Sequence, residues 1–408
     1  MRPGQEDAIR AVLAKKDTLV VMPTGSGKSA IYQIAGLMLP GATVVISPLI
    51  ALQKDQVDAI NAQACEEAVV VNSTQRVTQA REALEKIEEG KGKFLFLAPE
   101  QLHKQETMDA LKAAEISLFV IDEAHCISQW GHDFRPDYLE LGAVIERLGH
   151  PVVLAMTATA SAEVRKEIVK QLGMRRPKRF VHGFDRPNIH LRVDRFETED
   201  KKLEAVVHRV RWADKPGIVY VGTRKAAEEI MRLLDEEGIR ALFYHGGLKA
   251  SERESIHEQF MSGDSEVIVA TNAFGMGIDK RDVRFVYHYD VSDSLDAYYQ
   301  EIGRAGRDGE KSEAVLFFRQ ADIGAVSFHT GAAGVDPEEK ESLKEIRKDR
   351  LRQMQEYADT SRCRREHLLR YFGDEFEPPC NNCDNCEAAA PGIVVDPSVG
   401  TRREVVSA

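Results

Sequence analysis

Residues 22–29 read Met22-Pro23-Thr24-Gly25-Ser26-Gly27-Lys28-Ser29 and follow directly on the apolar run Thr18-Leu19-Val20-Val21. The run has the length of a buried strand. A helix is expected to begin near Ser29 and to continue through Ile31, Tyr32 and Ile34. Strand, glycine loop and helix in that order form the context of a phosphate-binding loop. Gly25 and Gly27 let the backbone turn tightly and aim its N–H groups inward. Lys28 adds a point charge for outer phosphates, Ser29 a hydroxyl for Mg²⁺, and the helix start a partial positive charge. Thr24, Gly25, Ser26, Gly27, Lys28 and Ser29 are therefore the candidate nucleotide-binding residues. Met22 occupies the position where the strict pattern has its first glycine. The plainer alternative is a glycine-rich turn that happens to carry a lysine, and the placement between strand and helix argues against it.

The rest of the chain bounds what such a loop can serve. A length of 408 residues exceeds one core and implies two or three domains. Composition is that of an ordinary globular protein, 43% hydrophobic and 30% charged. No apolar run approaches the roughly 18 residues of a membrane span, and the N-terminus has no charged-then-apolar leader. An intracellular, non-secreted protein without membrane association is expected. The net charge of −11 excludes coating of a polyanion by bulk charge but allows a local basic groove. Six cysteines do not suggest a disulfide framework in a chain this long. Three of them crowd into residues 380–386, which points to metal.

Further apolar runs at 43–46, 69–71, 94–97, 118–121 and 152–156 alternate with helix-like stretches, as in a parallel sheet covered on both faces. Residues 166–192, rich in Lys and Arg, read as a solvated connector. A second series follows at 217–221, 241–244, 267–270, 285–288 and 314–318, without a phosphate loop of its own. Two α/β units sharing one loop suggest a nucleotide clamped between domains. From Asp336 the composition changes: Pro337 to Tyr357 is charged and helical, with a solvated face as the simplest reading. Thr360 or Ser361 is placed to cap a helix carrying Cys363. The expected organisation is α/β: residues 1–183 and 184–335 as tandem parallel-sheet domains, 336–390 as a small helical metal-binding module, and 391–408 as a disordered tail.

Residues 118–121 lead into Asp122-Glu123-Ala124-His125. A carboxylate at a strand end beside a phosphate loop can hold Mg²⁺, and its neighbour Glu123 can polarise a water. Gln300-Glu301-Ile302-Gly303-Arg304-Ala305-Gly306-Arg307 sets two arginines three apart, which puts them on one face of a helix, suited to a γ-phosphate. Trp130, Phe134 and Arg135, in the run that continues from His125, offer rings for stacking on bases and a cation for phosphate. By residue type alone, core plugs are the better reading of Trp130 and Phe134. Cys363, Cys380, Cys383 and Cys386 read C-x16-C-x2-C-x2-C, which suits a tetrahedral zinc site, although C-x2-C-x2-C alone also suits an iron–sulfur cluster. Cys65 and Cys126 read as ordinary buried thiols.

Taken in order, these motifs resemble those of superfamily-two helicases, and specifically the RecQ family of DNA helicases, from Arg2 to Cys386. Arg2-Pro3-Gly4-Gln5 resembles that family's adenine-reading motif, with Gln5 on the base. Ser47-Pro48-Leu49-Ile50-Ala51-Leu52 resembles its DNA-backbone motif, and Trp130 to Arg135 its aromatic-rich loop coupling DNA to hydrolysis. Thr157-Ala158-Thr159 resembles the motif linking hydrolysis to domain motion. Phe184-Asp185-Arg186-Pro187-Asn188 marks entry into the second domain. Tyr244-His245-Gly246-Gly247 and the run from Ala270 through Gly277, Asp279 and Lys280 match later motifs. The resemblance implies two RecA-like domains, ATP and Mg²⁺ (the latter at Ser29 and Asp122), and zinc on the four cysteines. It implies ATP contacts at Arg2, Gln5, Gly277, Asp279 and Gln300, with Arg304 and above all Arg307 as arginine finger. DNA contacts are implied at Ser47, Pro48, Trp130, Phe134, Arg135, Asn188 and His245. The implied activity is 3′→5′ helicase action on single-stranded and on tailed or forked duplex DNA, in repair or recombination, by a monomer. The expected departures are a missing aromatic segment upstream of the adenine motif and no winged-helix or C-terminal helical domain after the cysteines. Two rivals are an RNA-remodelling ATPase of the same superfamily and a strand-annealing module whose ATPase serves as a switch.

Overall fold

The computed structural model describes all residues except 3, 24, 49, 65–67, 74, 129–132, 276–277, 279, 329–336 and 390–408. Two compact units emerge, Met1–Gly183 and Phe184–Ala408.

In the first unit the strands are β1 (Thr18–Val21), β2 (Ala42–Ile46), β3 (Ala68–Val71), β4 (Phe94–Leu97), β5 (Ile116–Ile121), β6 (Val152–Thr157) and β7 (Lys178–Val181). They form one parallel sheet in the order β3-β4-β2-β5-β6-β1-β7. Every residue of β1, β2 and β4 is buried, as a sheet covered by helices on both faces requires. Ile9 and Val12 of helix Gln5–Leu13 and Ile31 and Tyr32 of helix Lys28–Met38 pack on Val20, Val45, Phe96 and Val120 in one core. Because the strands are parallel, their carboxyl ends share one edge, where ligands of such sheets bind. β1 runs into the phosphate loop and β5 into Asp122, with only β6 between them.

In the second unit β8 (Ile189–Arg195), β9 (Gly217–Tyr220), β10 (Ala241–Tyr244), β11 (Val267–Ala270), β12 (Phe285–His288) and β13 (Ser312–Phe318) pair in parallel in the order β10-β11-β9-β12-β13-β8. Gly217 pairs with Phe285 in register, and a Cβ on it would lie 2.1 Å from the Phe285 ring. The ring fills the space a side chain would need.

Three expectations are corrected. Residues 166–192 are not a plain connector: they hold most of helix Ala162–Gln171, β7 and the start of β8. Both strands lie at the edge of their sheets. Lys178 and Arg179 of β7 are exposed, and β8 alternates buried Ile189, Leu191 and Val193 with half-buried neighbours, so neither strand has a continuous apolar run. The charged helix, Pro337–Asp359, is not merely a solvated face. Met354, Tyr357 and Ala358 are buried, and the Tyr357 ring packs on Tyr298 with centroids 5.2 Å apart. Finally, the next helix, Arg364–Phe372, does not carry Cys363 but is capped by it. Thr360 Oγ1 instead accepts a hydrogen bond from the Arg362 N–H, closing a turn. Cys126 is fully buried, as expected of an inert thiol. No helix among the described residues is long and apolar enough to cross a membrane.

Candidate active site

Gly25 and Gly27 adopt φ values of 78° and 80°, the left-handed region in which a Cβ is penalised. Gly27 caps helix Lys28–Met38. Lys28 Nζ donates to the carbonyls of Met22 at 2.9 Å and Pro23 at 3.3 Å. Gln5 reaches the loop across 21 residues of sequence: its Nε2 donates to Ser26 O at 2.9 Å and Gly27 O at 3.0 Å. Its Oε1 accepts from the Arg2 N–H at 2.7 Å, and the Arg2 guanidinium donates to Gly25 O. The loop is thus clasped by the very residues expected to read adenine. Ser26 Oγ is buried without a hydrogen-bond partner, while the Cα of Gly25 faces open space. A phosphate oxygen fits both observations.

Asp122 follows β5, and its N–H donates to Ile46 O of β2 at 2.9 Å. Its carboxyl is pushed up to about 7, first by burial and then by the adjacent Glu123, with Lys28 pulling the other way. A divalent cation would offset both unfavourable effects, so the site fits Mg²⁺. Glu123 has φ 47° and ψ 46°, a left-handed conformation for a residue with a side chain. Such strain clusters at functional sites and costs on the order of 1–3 kcal/mol. The Glu123 carboxylate lies 3.3 Å from His125 Nδ1, which is also 2.8 Å from Thr157 Oγ1. Thr157 Oγ1 also donates to Thr159 O at 3.0 Å, which links the histidine to the threonine motif. Burial opposes a charge on His125, but Cys126 and the Glu123 carboxylate outweigh it and raise its proton affinity well above the ordinary value. The Thr157 carbonyl accepts from the Met22 N–H at 3.1 Å. One threonine therefore joins the start of the phosphate loop, the acidic box and the Thr157-Ala158-Thr159 motif. Sequence reading quoted all three segments without linking them.

Arg135 is half-buried; its guanidinium donates to Asp133 at 3.1 Å and to Pro48 O at 3.4 Å. This brings the expected DNA residues Ser47, Pro48, Phe134 and Arg135 to one place. Ser47 Oγ is buried and without a partner. Trp130 and Thr24, like Gly277 and Asp279 of the second unit, lie outside the described residues, as do Cys65 and the expected tail 391–408.

In the second unit the arginines do not share a helix face. Helix Leu295–Ile302 carries Gln300 and stops before Gly303, and Gly306 turns at φ 55°. Glycines at 303, 306 and 309 break the helix that the spacing suggested. Arg304 is buried and donates to Gly275 O, whereas Arg307 is half-buried and donates to Ile278 O at 2.6 Å. Asn188 Nδ2 donates to Gly306 O at 2.8 Å and Glu310 O at 2.9 Å, so its amide is engaged with this turn. His245 is buried, stacks on Phe243 with centroids 5.4 Å apart, and accepts from the Gly247 N–H through Nδ1.

The ligating sulfurs of Cys363, Cys380, Cys383 and Cys386 all lie within 4.8 Å of one another. Zinc–sulfur bonds of about 2.3 Å in a tetrahedron set sulfurs about 3.8 Å apart, and Cys380 and Cys386 stand at 3.9 Å. The Cys383 thiol is pulled down to about 5, first by its hydrogen bond from Cys380 and also by the N–H groups of Cys386 and Arg364, against burial. A ready thiolate with N–H donors fits a structural metal centre.

Three family profiles match the chain: "DEAD/DEAH box helicase" at residues 2–168, "Helicase conserved C-terminal domain" at 201–309 and "RecQ zinc-binding" at 320–387. The chain is 43% identical over 387 residues to the ATP-dependent DNA helicase RecQ of Bacillus subtilis, covering 94% of this chain and 64% of that protein. To the protein of the same name from Pasteurella multocida it is 42% identical over 387 residues, covering 94% and 60%. It thus spans less than two thirds of the length of these curated relatives. Among solved structures, S. cerevisiae Dbp5 bound to RNA and ADP BeF3 superposes with a TM-score of 0.61 at 20% identity, covering 86% of this chain and 93% of that one. That likeness concerns the fold alone.

Proposed function

The chain belongs to the RecQ family of helicases, and from that membership we propose that it is an ATP-dependent DNA helicase that moves 3′→5′ along single-stranded DNA and unwinds tailed or forked duplexes, in repair or recombination. One observation carries the reading: on a single sheet edge, Lys28 after β1 and Asp122-Glu123 after β5 stand one strand apart.

In this reading Gln5 and Arg2 bind adenine and hold the loop, and residues 24–29 bind the phosphates. Ser29 and Asp122 would hold Mg²⁺, which when bound neutralises charge on the phosphate oxygens. Glu123 orients the attacking water, and His125 holds Glu123 in place while tying it to Thr157. Arg307 supplies the finger that stabilises charge on the γ-phosphate. Arg304, buried on Gly275 O, supports the same turn. Gly277, Asp279 and Gln300 complete the ATP contacts. Ser47, Pro48, Phe134, Arg135, Asn188 and His245 serve the DNA strand, and Trp130 senses it. The four cysteines would hold Zn²⁺, which staples the module.

A strand-displacement assay with 3′-tailed, 5′-tailed, forked and blunt duplexes tests the proposal. ATP-dependent displacement of 3′-tailed and forked substrates is expected. Displacement from 5′ tails only, stimulation of hydrolysis by RNA rather than DNA, or annealing without unwinding would sink it.

A further inference from the structure

Residues 184–189, which lead into β8 and end on its first residue, are gripped from one side and grip on the other. The first grip comes from the cysteine module. Arg365, two residues beyond Cys363, is buried. Its Nη1 donates to Asp185 Oδ1 and to Arg186 O, both at 2.7 Å, and its Nη2 to Ile189 O at 2.7 Å. Asn382, between Cys380 and Cys383, donates through Nδ2 to Pro187 O at 2.8 Å. The second grip is on the arginine turn. Arg186 Nη1 donates to Gly303 O at 3.0 Å, and its Nη2 to Ala305 O at 2.8 Å and Gly306 O at 3.0 Å. These carbonyls flank Arg304 and precede Arg307. The helix leading to the turn is held as well: Tyr299 donates to Phe184 O at 2.5 Å, and Phe184 stacks on Phe372 with centroids 4.6 Å apart.

Two guanidiniums thus collect six acceptors in series, five of them backbone carbonyls. A backbone carbonyl bound this way fixes main-chain position rather than a mobile side-chain tip. Turns such as residues 303–309, with three glycines, have little intrinsic preference for one conformation. Their order must come from outside.

We infer that Arg365 and Arg186 are positioning residues for hydrolysis. The helix capped by Cys363 sets the entry segment through Arg365, and that segment sets the turn bearing Arg307 through Arg186. The inference rests on the reading of Arg307 as the finger. It gives the cysteine module a part in the chemical step that is separate from DNA contact. Neither arginine touches nucleotide in this scheme; both act through Arg307.

The test is steady-state ATP hydrolysis at saturating DNA by Arg186→Lys and Arg365→Lys, each with and without Arg307→Lys. Lysine keeps the charge and stem, but one ammonium cannot span three acceptors fixed in a guanidinium's plane. Each single variant is expected to lower kcat by about tenfold or more, the penalty of a small misplacement of a reacting group. Dissociation constants for a fluorescent ATP analogue and for DNA and the zinc content are expected to stay unchanged, and the unfolding midpoint to fall by no more than the lost hydrogen bonds account for. In the Arg307→Lys background, adding either variant is expected to lower kcat by less than about twofold. Unchanged kcat in the single variants, or the full loss repeated in the Arg307→Lys background, overturns the inference. If Arg365→Lys melts early or sheds metal, Arg186→Lys, remote in sequence from the cysteines, decides alone. Wild-type turnover by Arg307→Lys refutes the finger assignment instead, a different result from either of these.

Discussion

Gly27→Ala is expected to cripple nucleotide binding for two separable reasons. The position has φ 80°, and an L side chain there costs about 1–2 kcal/mol. Its Cβ would also lie 2.7 Å from Gln5 Nε2, inside any real contact distance. Gln5 would have to withdraw and lose its bonds to Ser26 O and Gly27 O, each worth about 0.5–1.5 kcal/mol. Together the loop conformation is destabilised by about 2–5 kcal/mol, which at 1.4 kcal/mol per decade is a loss of about thirtyfold to several thousandfold in affinity. The assay is equilibrium binding of a fluorescent ATP analogue, with thermal unfolding as control. Gly25→Ala carries strain without a clash, since nothing lies within 4 Å of its Cβ, and should lose less affinity. In a Gln5→Ala background the clash is gone, so Gly27→Ala should show only its strain component. If Gly27→Ala costs the same with and without the Gln5 side chain, or leaves ATP affinity intact, the reasoning is wrong.

Lys28→Ala should reduce ATP turnover by at least about a hundredfold while the unfolding midpoint stays near the parent's; retained hydrolysis would refute the phosphate-loop assignment. Metal analysis of the purified chain should find about one zinc per molecule, and Cys383→Ser should lose it together with part of the thermal stability. A visible absorption band would instead indicate an iron–sulfur cluster. Glu313 is bonded to Arg209 Nη2 at 2.8 Å, and although burial opposes ionisation, that arginine's hydrogen bond and charge hold its carboxyl below the ordinary range. Its contribution to stability is therefore present above the unfolded carboxylate pKa and lost as pH falls through the lower folded value. Unfolding midpoints measured across the acid range should show a shallower fall for Glu313→Gln than for the parent, and parallel curves would count against the pairing.

The interior strands were legible because covered parallel strands are continuous apolar runs: β1, β4, β11 and β12 begin and end where the runs do. β7 and β8 escaped because charged residues interrupt them, Lys178 and Arg179 in β7 and Arg192, Asp194 and Arg195 in β8, whereas the edge strands β3 and β10 are apolar throughout. The candidate site was legible where its residues are neighbours in sequence, as in the phosphate loop and the acidic box, and the convergence of the four cysteines was legible from their spacing. What was not legible was pairing at a distance. Gln5 on Ser26, His125 on Thr157 and Arg186 on Gly303 join residues 21, 32 and 117 positions apart, and no periodicity encodes a side chain's choice of a remote carbonyl or hydroxyl. The arginine turn misled for a related reason. Spacing of three is helical only if the backbone stays helical, and three glycines in seven residues argue otherwise.

The placement of β8 has one more consequence. It pairs with β13 on one side only, so its outer backbone groups form an open edge of the kind that templates association between chains. The cysteine module closes that edge: the Leu191 N–H donates to Asn382 O at 3.4 Å, the Val193 N–H donates to the Asp384 carboxylate at 3.0 Å, and Leu191 bridges Cys383. The module is thus a lid on a sticky strand as well as an attachment. Stripping the zinc proposed for the four cysteines, and with it the module's hold, would bare two backbone donors on a seven-residue edge, and the outcome to watch for is light scattering from β-paired aggregates before any loss of the second sheet.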